Sequence, residues 1–335
     1  MSSSRLRVPR LPRSPTSCRD RRRSRPQMAV TALTFCLVLL SSTGLPGRAT
    51  ADGTADPTVL TARPVIRLAA FLNASATHLP PPFLVGRSMD AGATDVDGDG
   101  DLDIVVAKEF GTNVLLLGDG TGHFTDASAA RFPRAVRDSE EVALGDFDRD
   151  GDVDLVFVSE DDFVNEYYLN DGRGFFTDAG ARLPVTGESN AVQALDVDGD
   201  EDLDLVIGNA GQDFALINDG AGNFADETSR RLPVEANITQ DFAPGDIDGD
   251  GDLDLVQGNE DGNRLWLNDG SGVFTDATAG RLPLPPAGEE TRRASLGDVD
   301  GDGDLDLYLA NVRFGQQRDP QDRLLVNDSR GRFTD

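Results

Sequence analysis

The chain has 335 residues, with 59 Asp and Glu against 31 Lys and Arg, and a formal charge of −28. Residues 1–51 hold ten Arg and one Asp, so the remainder carries −37 and repels nucleic acid and anionic membrane surfaces, which are excluded as partners. Both cysteines, Cys18 and Cys36, lie in that leading stretch, so the rest has no disulfide, thiolate nucleophile or Cys-ligated zinc.

Residues 1–51 read as an export signal. Arg19, Arg21, Arg22, Arg23 and Arg25 precede the apolar run Ala29 to Leu40, and Ala49-Thr50-Ala51 offers a small-x-small cleavage site. The run is too short for a transmembrane anchor. The expectation is a secreted protein (extracellular, periplasmic or on the cell surface) with no membrane insertion once the signal is removed. Residues 52–65 read as a linker and 66–335 as one repeat domain.

That domain spells a nine-residue acidic loop five times, starting at 95, 146, 196, 246 and 298. The acids are Asp95, Asp97, Asp99, Asp101 and Asp103; Asp146, Asp148, Asp150, Asp152 and Asp154; Asp196, Asp198, Asp200, Asp202 and Asp204; Asp246, Asp248, Asp250, Asp252 and Asp254; and Asp298, Asp300, Asp302, Asp304 and Asp306. A period near fifty residues marks a repeat architecture. After each loop comes an aliphatic run such as Leu102-Asp103-Ile104-Val105-Val106, whose length and β-branching read as a strand. A second run follows, as at Asn263 to Leu267, and ends in Asn-Asp-Gly-x-Gly at 170–174, 218–222 and 268–272. Those residues tolerate positive φ and read as a hairpin turn. Phe124, Phe176, Phe224, Phe274 and Phe333 open a last short strand, and Leu-Pro or Phe-Pro closes the unit.

Four strands, tight turns and a fixed period predict an all-β chain, a β-propeller of four-stranded blades with five repeats visible. Upstream, residues 71–80 align without gaps to 274–283 and read as a fourth strand without its first three. Either residues 66–80 complete the last blade and close a five-bladed ring, or the ring has six or seven blades. His78 and His123, the two histidines, read as surface residues rather than a catalytic pair.

Five carboxylates in nine residues repel each other unless a cation sits among them, and an all-oxygen cage suits Ca2+. Asp at positions 1, 3, 5 and 9 is expected to ligate by side chain and position 7 by its carbonyl, with the Asp101 side chain facing solvent. Gly at position 6 permits the sharp turn. In the third loop Glu201 stands there, predicting a local distortion or the weakest affinity. An EF-hand is excluded, because its twelfth position needs a bidentate Glu and Val106 and Gln257 stand there instead.

The string Asp-x-Asp-Gly-Asp-Gly-Asp-Leu-Asp, followed by Leu-Asn-Asp-Gly-x-Gly-x-Phe-Thr-Asp, resembles the FG-GAP and VCBS repeat families, the former including the calcium-bearing propeller of integrin α chains. The resemblance runs from about residue 66 to the end. It implies that each loop joins the first two strands of a blade, that the ion stiffens this hairpin, and that ligands meet the opposite face. That face would be built from residues 109–112, 159–163, 259–262 and 312–321 and from the inter-blade segments 134–140, 188–190, 237–241 and 289–293. Arg292, Arg293, Arg313 and Arg318 stand out there because basic residues are scarce; they read as solvated loop charges, with a positive spot for an acidic ligand as the alternative.

The functional expectation is a secreted calcium-binding module for an extracellular protein or glycan, acting in adhesion or ligand binding and not as an enzyme. The alternative is a carbohydrate lyase or hydrolase on a calcium-stabilised propeller. With one Lys after the leader and no His pair, the sequence singles out no acid and base for that chemistry.

Overall fold

In a computed structural model the described residues are 73–81, 86–133, 135–286, 288–312 and 321–335. The export signal, the linker and the strand-forming part of the upstream segment lie outside them. Five sheets result, each four-stranded, antiparallel and wound in chain order. Blade 1 holds β1 (Arg87–Thr94), β2 (Asp103–Glu109), β3 (Val114–Gly118) and β4 (Phe124–Asp126). Blade 2 holds β5 (Ser139–Gly145), β6 (Asp154–Ser159), β7 (Glu166–Asn170) and β8 (Phe176–Asp178). Blade 3 holds β9 (Ser189–Leu195), β10 (Asp204–Asn209), β11 (Phe214–Asn218) and β12 (Phe224–Asp226). Blade 4 holds β13 (Thr239–Gly245), β14 (Asp254–Asn259), β15 (Arg264–Asn268) and β16 (Phe274–Asp276). Blade 5 holds β17 (Thr291–Gly297), β18 (Asp306–Asn311), β19 (Arg323–Asn327) and β20 (Phe333–Thr334). The fifth sheet therefore has a fourth strand from its own end of the chain.

The aliphatic runs lack in–out alternation because both their faces are covered. Every residue of β6 is buried. Leu155 and Phe157 pack toward blade 1, while Val156 and Val158 pack toward blade 3. Four apolar clusters arise this way, one at each seam between consecutive blades. The Phe that opens each last strand plugs a seam: Phe176 against Phe132, Phe224 against Phe147 and Phe274 against Trp266.

After the fourth strand the chain makes one helical turn before its Pro. Asp126, Asp178, Asp226 and Asp276 each accept the N–H two residues on, the Asx turn that this residue type favours. Upstream, Asn73 accepts from Ser75 in the same way and the turn α1 (Ser75–His78) follows. The alignment of 71–80 with the end of a blade thus holds over its described part.

Each first strand carries a β-bulge at one place, between Ser88 and Asp90, Ser139 and Glu141, Ser189 and Ala191, Thr239 and Asp241, and Thr291 and Arg293. The residues just past it are Asp90, Glu141, Ala191, Asp241 and Arg293, and they face one axis. Asp90 accepts Val142 N–H at 3.2 Å, Glu141 accepts Val192 N–H at 2.8 Å and Asp241 accepts Ala294 N–H at 2.7 Å. Each acid therefore ties its blade to the next. Arg293 of blade 5 donates to Glu141 of blade 2 at 3.1 Å and lies 3.3 Å from Asp241 of blade 4. That reach is possible only because the row of blades curves round the axis.

Candidate metal centres

Each acidic loop joins the first two strands of its blade, and its five carboxylates hold different posts. The first Asp is a cap. Asp95 Oδ1 accepts the N–H of position 4 at 2.8 Å and Oδ2 that of position 6 at 2.9 Å, and Asp196, Asp246 and Asp298 repeat both bonds. The fifth position accepts the N–H of the seventh at 2.9–3.1 Å in all loops.

The ninth Asp is the most buried. Asp103, Asp154, Asp204, Asp254 and Asp306 are at most 1 % exposed. One oxygen of each accepts the N–H of position 2 and the other the N–H at the end of the third strand, as from Ile247 at 3.0 Å and Asn268 at 2.9 Å. Burial pushes Asp154 and Asp204 up to about 7 and Asp254 up to about 6, against the lowering effect of those N–H groups.

The third Asp is different. Oδ1 of Asp97, Asp148, Asp198 and Asp248 is buried and receives no hydrogen bond. Such an oxygen costs about 1–3 kcal/mol or more unless something compensates it, and a cation would. Around it, one oxygen from each of Asp95, Asp97 and Asp99 lies within 4.8 Å of the others, as do those of Asp146, Asp148 and Asp154, of Asp196, Asp198 and Asp204, and of Asp246, Asp248 and Asp250. Converging carboxylates with an uncompensated oxygen fit a hard cation such as Ca2+. Positions 1, 3, 5 and 9 would hold it.

The sequence reading missed what orients the third Asp. Arg131, Arg231 and Arg281 lie against Asp97, Asp198 and Asp248 at 3.7, 2.7 and 3.3 Å. The same guanidinium donates into the next blade's hairpin turn, Arg231 to Ser271 O at 2.7 Å and Arg281 to Arg330 O at 2.6 Å. Arg182 makes that second bond to Ala221 O at 2.9 Å. The visible signal was Arg before each closing Leu-Pro or Phe-Pro. Upstream the same place holds His78, which stacks on His123 of blade 1's turn with centroids 4.5 Å apart. The histidines thus join the upstream turn to blade 1.

Two expectations need correction. The seventh Asp does not face open solvent: Asp101 lies over the hairpin turn beside Gly120, as Asp152, Asp202 and Asp252 do beside Gly172, Gly220 and Gly270, where a Cβ would collide with the carboxylate. Nor does Glu201 distort its loop. It accepts φ 71° and donates its N–H to Asp196 Oδ2 at 3.0 Å, as glycine does elsewhere. Position 4 also takes positive φ in every loop, and in the second loop it is Arg149, at φ 59°. That side chain pairs with Asp202 of the neighbouring loop and donates to Asp200 O at 3.3 Å.

At the other end of the blades Arg292 and Arg293 are neither solvated loop charges nor a positive spot. Arg292 is held by Glu290 at 2.6 Å and Glu260 at 3.1 Å, and Arg293 by Glu141 and Asp241. Scarce arginines amid many acids are consumed in pairs. Arg313 and Arg318 lie outside the described residues. Burial, then neighbouring carboxylates, push Asp138 up to about 7 and Glu140 up to about 8. On blade 2 a groove of about 360 Å3 is lined by residues including Pro133, Arg137, Asn165, Glu166, Tyr168 and Asp178. No described helix is long and apolar enough to cross a membrane.

The profile of the FG-GAP-like repeat matches the chain at residues 95–157, 146–207, 196–257 and 246–309. No curated protein matches it. Among solved structures, a lectin of Agrocybe aegerita that recognises non-reducing terminal N-acetylglucosamine is similar at 20 % identity and TM-score 0.46, over 73 % of this chain and 64 % of the lectin. The Photorhabdus luminescens Tc holotoxin pore is similar at 25 % identity and TM-score 0.38, over 66 % of this chain and 10 % of that one. The V. cholerae biofilm matrix protein is similar at 16 % and 0.40, over 67 % and 34 %. The chain thus spans less than two thirds of each of these proteins.

Proposed function

The chain belongs to the FG-GAP-like repeat family, and on that premise we propose that it is a secreted, calcium-bound β-propeller serving as an adhesion or ligand-binding module for an extracellular protein or glycan. The observation that carries the calcium part is the set of buried, unpaired oxygens on Asp97, Asp148, Asp198 and Asp248. The role of the ion is to stiffen each first hairpin and fix the carboxylate that an arginine of the same blade already grips. The module binds rather than catalyses. Most of its paired outer acids serve the loops or hold arginines, and a glycan unit suits the polar groove on blade 2 in size.

Calorimetric titration of the chain with Ca2+, with thermal melts in Ca2+ and in chelator, tests this reading. At ~0.1 mM affinity and ~1 mM free ion each loop adds about 1.4 kcal/mol, or roughly 7 for five. Four or five ions and a large rise in melting temperature are expected. No uptake and an unchanged melt would overturn the metal assignment. Binding on a glycan array that survives groove substitutions such as Tyr168→Ala would move the ligand elsewhere on the molecule.

A further inference from the structure

Blade 2 departs from the repeat at the end of its first hairpin away from the acidic loop. There Glu160 N–H donates to Asp138 O at 3.1 Å and closes the pair of strands. The same bond joins Ala210 to Glu188, Glu260 to Ile238 and Val312 to Glu290 in blades 3, 4 and 5. Three positions can therefore be compared between blades: the residue before the first strand, the bulged residue, and the residue after the second strand. In blade 2 they are Asp138, Glu140 and Glu160. In blade 3 they are Glu188, Asn190 and Ala210; in blade 4 Ile238, Gln240 and Glu260; in blade 5 Glu290, Arg292 and Val312. Only blade 2 puts an acid at all three, so folding of the repeat does not demand the cluster.

The three acids converge. One oxygen from each lies within 4.8 Å of the others. Asp138 is 3 % exposed, and its Oδ1 receives no hydrogen bond. Glu109 and Asp161 add further negative charge around it, and Arg292 of blade 5 acts on Glu140 from the other side of the charge balance. A buried carboxylate oxygen without a donor, faced by two more carboxylates, is an expensive arrangement for a metal-free protein. Seven residues of β5 separate this corner from the second loop, roughly 23 Å along the strand, so neither shares ligands with the other.

We propose that Asp138, Glu140 and Glu160 form a sixth divalent-cation site, at the end of blade 2 opposite the loops, which takes a hard cation such as Ca2+ or Mn2+. Three carboxylates leave several coordination positions to water. The site therefore exchanges its ion more readily than the loops and can share it with an oxygen of a bound ligand, on the same blade as the groove where the preceding reading seeks the partner.

The test is crystals of the full chain grown with Mn2+ and examined for anomalous scattering, together with equilibrium dialysis against Ca2+. The proteins compared are the wild type, Glu140→Gln, Asp138→Asn/Glu140→Gln and the loop variant Asp148→Asn. The expected result is an anomalous peak between Asp138, Glu140 and Glu160, and one ion fewer in the double variant with its melt in chelator unchanged or higher. Ions at the loops with none at this corner, or a double variant that binds as many as the wild type, overturns this proposal alone. Loss of an ion in Asp148→Asn but not in the double variant does the same. No ion at either place overturns both readings.

Discussion

Blade 2 carries acid clusters at both ends of its first hairpin, and they are built on opposite principles. In the loop, Asp146, Asp150 and Asp154 each meet backbone N–H groups, so the fold supplies donors and leaves two oxygens, Asp146 Oδ1 and Asp148 Oδ1, unpaired. At the far end acids meet other acids, and Arg292 of a distant blade acts on Glu140; along the axis each acid has one backbone N–H from the next blade, and Arg293 adds its charge to Glu141 and Asp241. The loop is a repeated solution, written five times with the same spacing. The far end is an individual one, assembled from residues with no common sequence pattern. Local bonds therefore hold the loops even without an ion, whereas the far end depends on the whole arrangement of blades.

That contrast is sharpest at the ninth loop position. Asp154→Ala leaves the buried N–H groups of Phe147 and Asn170 without their acceptor, and should cost about 4 kcal/mol even in chelator. Asp148→Asn removes a charge that burial disfavours, so in chelator its stability should be unchanged or higher by about 1 kcal/mol, while the calcium-dependent increment of one site is abolished. Denaturant unfolding with and without calcium reads both. Equal losses in chelator would erase the division between bracket and ligand.

The seam arginines come next. Arg231 is 4 % exposed, and it joins Glu227, Asp198 and Ser271 O at 2.6–2.7 Å. Arg231→Ala strands the Asp198 carboxylate and the Ser271 carbonyl, while Glu227 keeps Arg230, an expected loss of about 3 kcal/mol, with weaker calcium uptake at the third loop. Arg281, more exposed and with a longer contact to Asp248, should lose about 1 kcal/mol on the same change. If both variants lost equally little, the bond into the next blade would not hold the seam.

The sequence disclosed what the repeat enforces and hid what single side chains do. Loops, strands, the turn residues and the plugging Phe residues recur, so their spacing alone announced five four-stranded blades. The arginine of Arg231-Leu232-Pro233 recurs too, and its period was the available clue, but its two bonds cross between segments 33 and 40 residues away. The bulged residues themselves, Met89, Glu140, Asn190, Gln240 and Arg292, have nothing in common, and the one recurring mark, a Ser or Thr just before each (Ser88, Ser139, Ser189, Thr239 and Thr291), is too ordinary in a strand to announce a bulge. With the bulges unseen, the axial set of Asp90, Glu141, Asp241 and Arg293 could not be assembled, and Arg292 and Arg293 read as loose surface charge.

The axis makes a pH prediction. Burial outweighs the Arg293 guanidinium and pushes Glu141 up to about 8 and Asp241 up to about 7, from ordinary values of 4.5 and 3.8 in the unfolded chain. The folded state thus holds protons more tightly. Stability from them is complete below the unfolded values and is lost as pH rises through the folded ones. Between pH 5 and 8 in chelator the wild type should lose stability, and Glu141→Gln should reduce that loss by on the order of 1 kcal/mol or more. The other raised acids are common to both proteins, so the difference isolates the axis. An unchanged pH slope in the variant would mean that the axial acids are already ionised at pH 5.

The smallest effect separates two strained loops. Glu201 and Arg149 both sit at positive φ where sister loops have glycine. The left-handed conformation costs a residue with Cβ about 1–2 kcal/mol, while glycine gives back about 0.4–1 through the unfolded chain. Glu201→Gly should therefore gain about 0.5–1 kcal/mol, a melt higher by about 2 °C in a domain of this size, and tighter calcium at the third loop, because the strain no longer opposes closure around the ion. Arg149→Gly gains the same relief but gives up its pairing with Asp202 and Asp200 O. The side chain is half exposed, so that loss is modest, and the net should fall near zero. The loop with the unpartnered strained residue should thus respond more than the loop whose strained residue reaches its neighbour. Equal gains would show that the Arg149 bridge contributes nothing, and no gain in Glu201→Gly would show that the loop carries its glutamate without strain.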